Sequence, residues 1–458
     1  MANAGSVKET ATKVALKGLL KIVDSISDEK FLDFVRSKST NVVHPEGRIF
    51  IEKALLQFKH LLSRFSTAGR RKFIENFMYN ALVKGARIRK EYSRRTGVHP
   101  PTLFVISPSM ACNLGCYGCY AGEYTKKDAL SLEVINRVLK EGREMGIYFY
   151  VITGGEPFYW DHIFELFEQN DDLYFMVYTN GAYLNKENAQ KLGELGNVVP
   201  CISVEGFEED TDERRGRGHF QKVTSAMDNL REAGVIFGFS ATATKDNNEF
   251  IVSDEFIDFY TNKGCFLGWY FNYVPIGRKP DVSIMPTPEQ RECRRRRMLE
   301  VRKVKPIILA DFWNDGPMVG GCLAGGRCYL HINGDGNVEP CVFFHYAIDN
   351  VKEKSMHDII RSPFFIEFKK RIPYSDNLLT PCSIIDQPHV LREIVEAVGA
   401  KPSHEGADTI ATELVDWLDD YAERYHEIAD KVWNEEYAAI DPEHYKPVET
   451  KKLEKAPV

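Results

Sequence analysis

The chain has 458 residues, 43% of them hydrophobic and 27% charged, which is ordinary globular usage and argues against a mostly disordered or fibrous protein. A net charge of −7 excludes a generally basic nucleic-acid binder, and no uninterrupted apolar stretch reaches the ~18 residues needed to cross a bilayer. The N-terminus has no basic, apolar and small-residue succession of a secretory signal, so the expected compartment is the reducing cytoplasm, where the ten cysteines are not expected in disulfides and the clustered ones read as metal ligands.

The charge is segregated. Residues 1–97 carry 20 Lys and Arg against 9 Asp and Glu, whereas residues 386–458 carry 8 against 18. Either the two ends pack together or the basic end meets an anionic surface such as the inner face of a membrane. In chain order, Ile51, Leu55, Phe58, Leu62 and Phe65 recur at spacings of three and four, so 1–97 is expected to be a basic amphipathic helical region. Pro100-Pro101 closes it.

Between residues 98 and 280 short apolar runs alternate with longer amphipathic ones. Strands are expected at 103–106, 147–152, 174–178, 198–204, 236–242 and 267–274, with helices between them. Repeated strand-helix units predict an α/β fold, a partial (β/α)6 barrel with its ligands at the carboxyl ends of parallel strands. After residue 280 the alternation is expected to stop. A helix over 286–303, a hairpin over 327–343 turning at Asn333-Gly334-Asp335-Gly336, an acidic helical region over 386–446 and a disordered tail over 447–458 complete the expectation.

At the end of the first strand, Cys112, Cys116 and Cys119 stand at spacings of four and three in a loop of small residues. Three thiolates suit a 4Fe-4S cluster with one iron left open; a structural zinc loop would need a fourth ligand close by. After the second strand comes Thr153-Gly154-Gly155-Glu156-Pro157. The two motifs, in this order and at strand ends, resemble the radical S-adenosylmethionine (SAM) superfamily.

That resemblance implies a cluster held by Cys112, Cys116 and Cys119, whose open iron is chelated by SAM. It further implies that Gly154, Gly155, Glu156 and Pro157 line the methionine amino group, with Tyr117, Gly118 and Asn180 near SAM. Ser203 and Glu205 would contact the ribose or methionine portion, and Arg215 the SAM carboxylate. One departure is Gly118, where the family often has an aromatic residue before the third cysteine.

Cys322, Cys328, Cys341 and Cys382 bracket the hairpin and resemble the auxiliary-cluster domains called SPASM and twitch. Over 281–385 the resemblance implies one auxiliary 4Fe-4S cluster, with Cys382 the most distant ligand and a four-cysteine zinc site the alternative. Cys201, Cys265 and Cys293 read as structural, His345 as a satisfied packing residue, and Arg291 with Arg294 to Arg297 as a solvated helix face.

The implied activity is reductive cleavage of SAM to a 5′-deoxyadenosyl radical that abstracts hydrogen from an unactivated C–H bond, fed by a one-electron donor such as flavodoxin or ferredoxin. The substrate is left open between a peptide, a small molecule and a lipid or isoprenoid chain reached through residues 1–97, and no nucleic acid is expected. A non-catalytic iron-sulfur electron carrier is the alternative of another class.

Overall fold

The computed structural model describes residues 26–38 and 45–438; the expected tail at 447–458 and the first 25 residues lie outside the described residues. Six parallel strands, β1 (Leu103–Ile106), β2 (Phe149–Ile152), β3 (Tyr174–Thr179), β4 (Val198–Val204), β5 (Gly238–Ala243) and β6 (Leu267–Asn272), follow one another in spatial as in chain order. The crossover helices start and stop where the sequence supplies caps. Ser131 accepts from the Val134 N–H and Gly146, at φ 86°, ends the helix Leu132–Met145. Asn185 with Gly196 and Ser253 with Gly264 do the same for Lys186–Leu195 and Asp254–Lys263. The main core lies between the sheet and these helices, with Ile135, Val138 and Leu139 facing Phe104, Tyr150 and Ile152.

Alternation continues past residue 280, contrary to expectation. The helix Pro288–Val304 is itself a crossover, and β7 (Ile308–Asp311) pairs parallel to β6, so the sheet gains a further strand on this edge. On the other edge β8 (His331–Ile332) pairs parallel to β1 and antiparallel to β9 (Val338–Glu339), which are the two arms of the expected hairpin. The order β7-β6-β5-β4-β3-β2-β1-β8-β9 therefore joins the second cysteine region to the barrel by backbone pairing.

One reading of the charge pattern, the solvated arginine face, is corrected in part. The N-terminal helices close the barrel at its amino end. Phe58, Phe73 and Phe77 stack on one another and on Tyr174 and Phe149, at the starts of β3 and β2. Of the arginines of Pro288–Val304 expected on a solvated face, Arg296 is exposed and Arg297 partly so, whereas Arg291, Arg294 and Arg295 are at most 2% exposed. Arg291 pairs with Asp386, Arg294 Nε lies 2.9 Å from Asp311 Oδ2, and Arg295 Nη2 lies 2.8 Å from Glu436 Oε2. Among the described residues the acidic C-terminal region packs, through the helix Val415–Val432, on this arginine helix. Such pairs are retained because a buried arginine needs a partner of opposite charge. Among the described residues no helix is long and apolar enough to cross a membrane.

Candidate functional site: two thiol sets at the carboxyl end of the barrel

The loop that carries Cys112, Cys116 and Cys119 leaves β1 at its carboxyl end and is gripped from three sides. Glycines at the end of β2 press against it. A Cβ on Gly154 would stand 2.4 Å from Ser109 O and one on Gly155 2.1 Å from Ala111 O, and the N–H groups of Gly155 and Glu156 donate to those same carbonyls at 3.1 and 2.9 Å. Only residues without a side chain permit this approach. From the end of β6, Arg278 N–H donates to Cys119 O at 3.0 Å and its guanidinium to Cys116 O at 3.1 Å, while Gly277, at φ 84°, sits against the Cys119 and Tyr120 carbonyls. From β3, Asn180 Nδ2 donates to Asn113 Oδ1 at 2.8 Å and lies 3.8 Å from Cys112 Sγ.

Glu156 is buried, and its carboxylate accepts from the Thr179 hydroxyl at 2.7 Å, the Asn180 N–H at 2.7 Å and the Phe158 N–H at 3.1 Å. It therefore ties the end of β2 to the end of β3. Burial pushes its carboxyl up to about 7, against those hydrogen bonds, which favour the charged form. Burial likewise raises the Cys112 thiol to about 11.

Glu205 and Arg215, both assigned to SAM by the resemblance, are brought together. Glu205 accepts from Arg215 Nε at 2.9 Å and from Arg214 Nη1 at 2.6 Å, so the arginine fork is spent on the carboxylate. Ser203 reaches Ser240 at 3.3 Å, on the inner face of β4 and β5. Pro157 opens a short turn behind Glu156, and Tyr117 is 43% exposed with the Arg214 guanidinium 5.9 Å from its ring. Gly118 has a physical reason. At φ 61° it leaves room for Tyr273, whose ring would lie 2.6 Å from a Cβ there, so the aromatic ring at this place comes from the end of β6.

The second thiol set lies across the barrel mouth. Cys322, Cys341 and Cys382 line one cavity together with Phe312, Trp313 and Tyr329. Cys328 stands near Cys322 but not on the cavity wall; its carbonyl instead receives Thr102 and Leu103 at the start of β1. Cys382, 41 positions beyond Cys341 in sequence, is delivered by its neighbours: Asp386 Oδ2 accepts from the Cys382 N–H at 3.0 Å, and Arg291 holds Asp386. His345 is buried, with Val342 O at 2.8 Å from one ring nitrogen and His404 at 2.7 Å from the other.

Two groups escaped sequence reasoning. Gly277-Arg278 follows β6 as the glycines follow β2, a positional signal that was available. The buried chain Ser107, His331, Glu339, Tyr124 was not legible: His331 lies 2.7 Å from both Ser107 Oγ and Glu339 Oε2, and the Tyr124 hydroxyl donates to Glu339 at 2.8 Å, across more than 200 residues of sequence. It fastens the loop ahead of Cys112 to the hairpin between Cys328 and Cys341.

These donors fit iron-sulfur chemistry. A glycine cradle beside one thiol set and buried donors without partners at Tyr374 and Trp313 beside the other are the surroundings such groups need.

Comparison with known proteins bears this out. Residues 106–250 match the family model of the radical SAM superfamily, and residues 322–383 that of SPASM, an iron-sulfur cluster-binding domain. An AdoMet-dependent heme synthase of Oleidesulfovibrio alaskensis is 26% identical over 57% of this chain and 74% of its own length. The sporulation killing factor maturation protein SkfB of Bacillus subtilis is 26% identical over 54% of this chain, which spans 62% of that protein. Among solved structures, SuiB of Streptococcus suis bound to SAM superposes with a TM-score of 0.51 at 20% identity, covering 61% of this chain and 70% of SuiB, a likeness of fold. The protein is therefore an enzyme rather than an electron carrier, and its cofactors are a SAM-binding 4Fe-4S cluster, SAM and an auxiliary iron-sulfur cluster. The chain thus carries a radical SAM domain over residues 106–250 and a C-terminal SPASM domain over residues 322–383.

Proposed function

We propose that the protein modifies an unactivated C–H position on an apolar side chain of a peptide substrate. The observation that carries this is an aromatic path between the two thiol sets. Tyr120, beside Cys119, meets Phe343 at 5.3 Å between ring centroids; Phe343 meets Phe271 at 6.5 Å, Phe271 meets Phe312 at 5.4 Å, and Phe312 meets Tyr329 at 6.1 Å, next to Cys341. Tyr178 and Trp269 extend it over the inner face of the barrel, both within 6.2 Å of Phe271. None of these residues is charged. Such a wall recognises apolar or aromatic groups and offers no counter-ion to a polycarboxylate.

When bound, the cluster and SAM supply a 5′-deoxyadenosyl radical able to take hydrogen from such a carbon. Cys112, Cys116 and Cys119 would hold that cluster, and Cys322, Cys341 and Cys382, with Cys328 near Cys322 as the expected fourth, would supply the thiolates of the second one. The Gly154 and Gly155 backbone and Asn180 border the methionine end of SAM, Ser203 and the Glu205–Arg215 pair its ribose side, and the wall of Tyr178, Trp269 and Phe271 sets the substrate carbon at near-attack distance while excluding water. Divisions of the chain near residues 97, 280 and 385 belong to the same proposal.

The relatives named as maturases, and a further relative named PqqA peptide cyclase, support the peptide class. The relative named as a heme synthase supports a tetrapyrrole, whose carboxylates the neutral wall disfavours. A lipid reached through the N-terminal helices has less support, because Phe58, Phe73 and Phe77 of those helices are used on the barrel floor. The test uses the anaerobically reconstituted enzyme with reductant, SAM, and cell extract from D2O-grown cells separated into peptide, lipid and tetrapyrrole fractions. Deuterium should enter 5′-deoxyadenosine with the peptide fraction; transfer from only the lipid or tetrapyrrole fraction would overturn the substrate class.

A further inference from the structure

We propose that Tyr329, Tyr374 and Trp313 donate hydrogen bonds to sulfur atoms of the auxiliary cluster and thereby raise its reduction potential, biasing it toward electron uptake. The inference rests on the reading of Cys322, Cys341 and Cys382 as thiolate ligands of that cluster. Tyr329 and Trp313 line the cavity, and Tyr374 stands behind its wall, beside Cys322 and Ser383. The Tyr329 hydroxyl donates to Cys341 Sγ at 3.1 Å. The Tyr374 hydroxyl lies beside Cys322 and Ser383, fully buried, without completing a hydrogen bond to either. The indole N–H of Trp313, which lines the same cavity, is buried without an acceptor.

A buried donor without an acceptor is costly, and native proteins rarely leave one so. Two around one set of thiols, with a third already on a thiol, point to sulfur as their common acceptor. All three are neutral, so they bring donor protons without adding charge. Hydrogen bonds to cluster sulfurs stabilise the more negative, reduced form and raise the potential, while burial among apolar side chains acts in the opposite sense. The side-chain donors are what counters that burial. The first thiol set is served differently: Cys112 meets the Leu114 N–H at 3.4 Å and the Asn180 side-chain amide at 3.8 Å, and Cys119 the Ala121 N–H, none of them a hydroxyl or an indole.

These three are positioning residues, and the readout is a potential rather than a rate. In full-length protein carrying Cys112→Ala, Cys116→Ala and Cys119→Ala, only the auxiliary cluster can assemble. Its midpoint is measured by potentiometric titration with electron paramagnetic resonance (EPR). Tyr329→Phe and Tyr374→Phe, each removing one oxygen, should move the midpoint to more negative values, and the double variant further than either; Trp313→Phe should move it in the same direction. A midpoint unchanged in both single variants and in the double would overturn the proposal. Because a variant can fail to assemble its cluster, the parent is also compared in H2O and D2O by electron-nuclear double resonance. Exchangeable protons coupled to the reduced cluster are expected, and their absence would equally overturn it. A parent that takes up no iron would remove the cluster reading itself, and is distinguishable from a loaded parent indifferent to its tyrosines.

Discussion

The two thiol sets occupy opposite environments. Cys112, Cys116 and Cys119 lie on a loop held almost wholly through its backbone, by Gly154, Gly155 and Arg278, with Tyr117 open to solvent. Cys322, Cys341 and Cys382 stand in an aromatic cavity whose walls offer side-chain donors to sulfur. A loop gripped by its carbonyls leaves one side free for a small ligand, as a cluster that must bind SAM requires. A cavity lined largely by apolar and aromatic side chains suits a cluster that exchanges only electrons. The difference teaches that the same ligand atom serves two tasks according to what surrounds it.

The largest expected effect breaks the first set. Replacing Cys112, Cys116 and Cys119 by Ala should remove about four irons per chain and abolish 5′-deoxyadenosine formation, measured by iron assay and chromatography. Replacing Cys341 or Cys382 should instead leave SAM cleavage and remove substrate product, which separates the two tasks. Arg291→Ala leaves Asp386 buried and uncompensated, so chemical denaturation should show a loss of about 3–5 kcal/mol, with iron loss confined to the second set through Cys382. Gly155→Ala drives a methyl group into Ala111 O and should weaken SAM binding in calorimetry while the second cluster's EPR signal is unchanged.

The smallest effect concerns pH. The Glu156 carboxyl is raised from 4.5 to about 7 in the fold, so the native state binds more protons than the unfolded chain between these values. Its contribution is therefore favourable below about 4.5 and is lost as pH rises through about 7. Relative to Glu156→Gln in the iron-free protein, wild-type stability should fall across that window; a flat difference would contradict the assigned environment.

Much of this was legible because local chemistry carried it. Three cysteines at spacings of four and three, and two adjacent glycines before a glutamate, each mark a strand end, and the six strands followed from apolar runs separated by capped helices. β7 was missed because the preceding helix is arginine-rich and reads as solvated, whereas its arginines are neutralised by Asp311, Asp315 and Asp386, partners up to 95 positions away in the chain. The same distance hides what sets Cys382 in place, the Arg291–Asp386 pair, and the Ser107–His331–Glu339 chain that fastens the hairpin to the barrel. The Tyr273 ring over Gly118 was invisible for a related reason, since one strand end fills a gap left by another.

EPR of the reduced, anaerobically reconstituted protein, recorded before and after SAM is added, addresses the central claim most directly. The account predicts two overlapping cluster signals, of which the one lost in the Cys112/Cys116/Cys119 variant shifts on SAM addition while the other stays fixed. Signals indifferent to SAM, or zinc in place of iron at either thiol set, would contradict it.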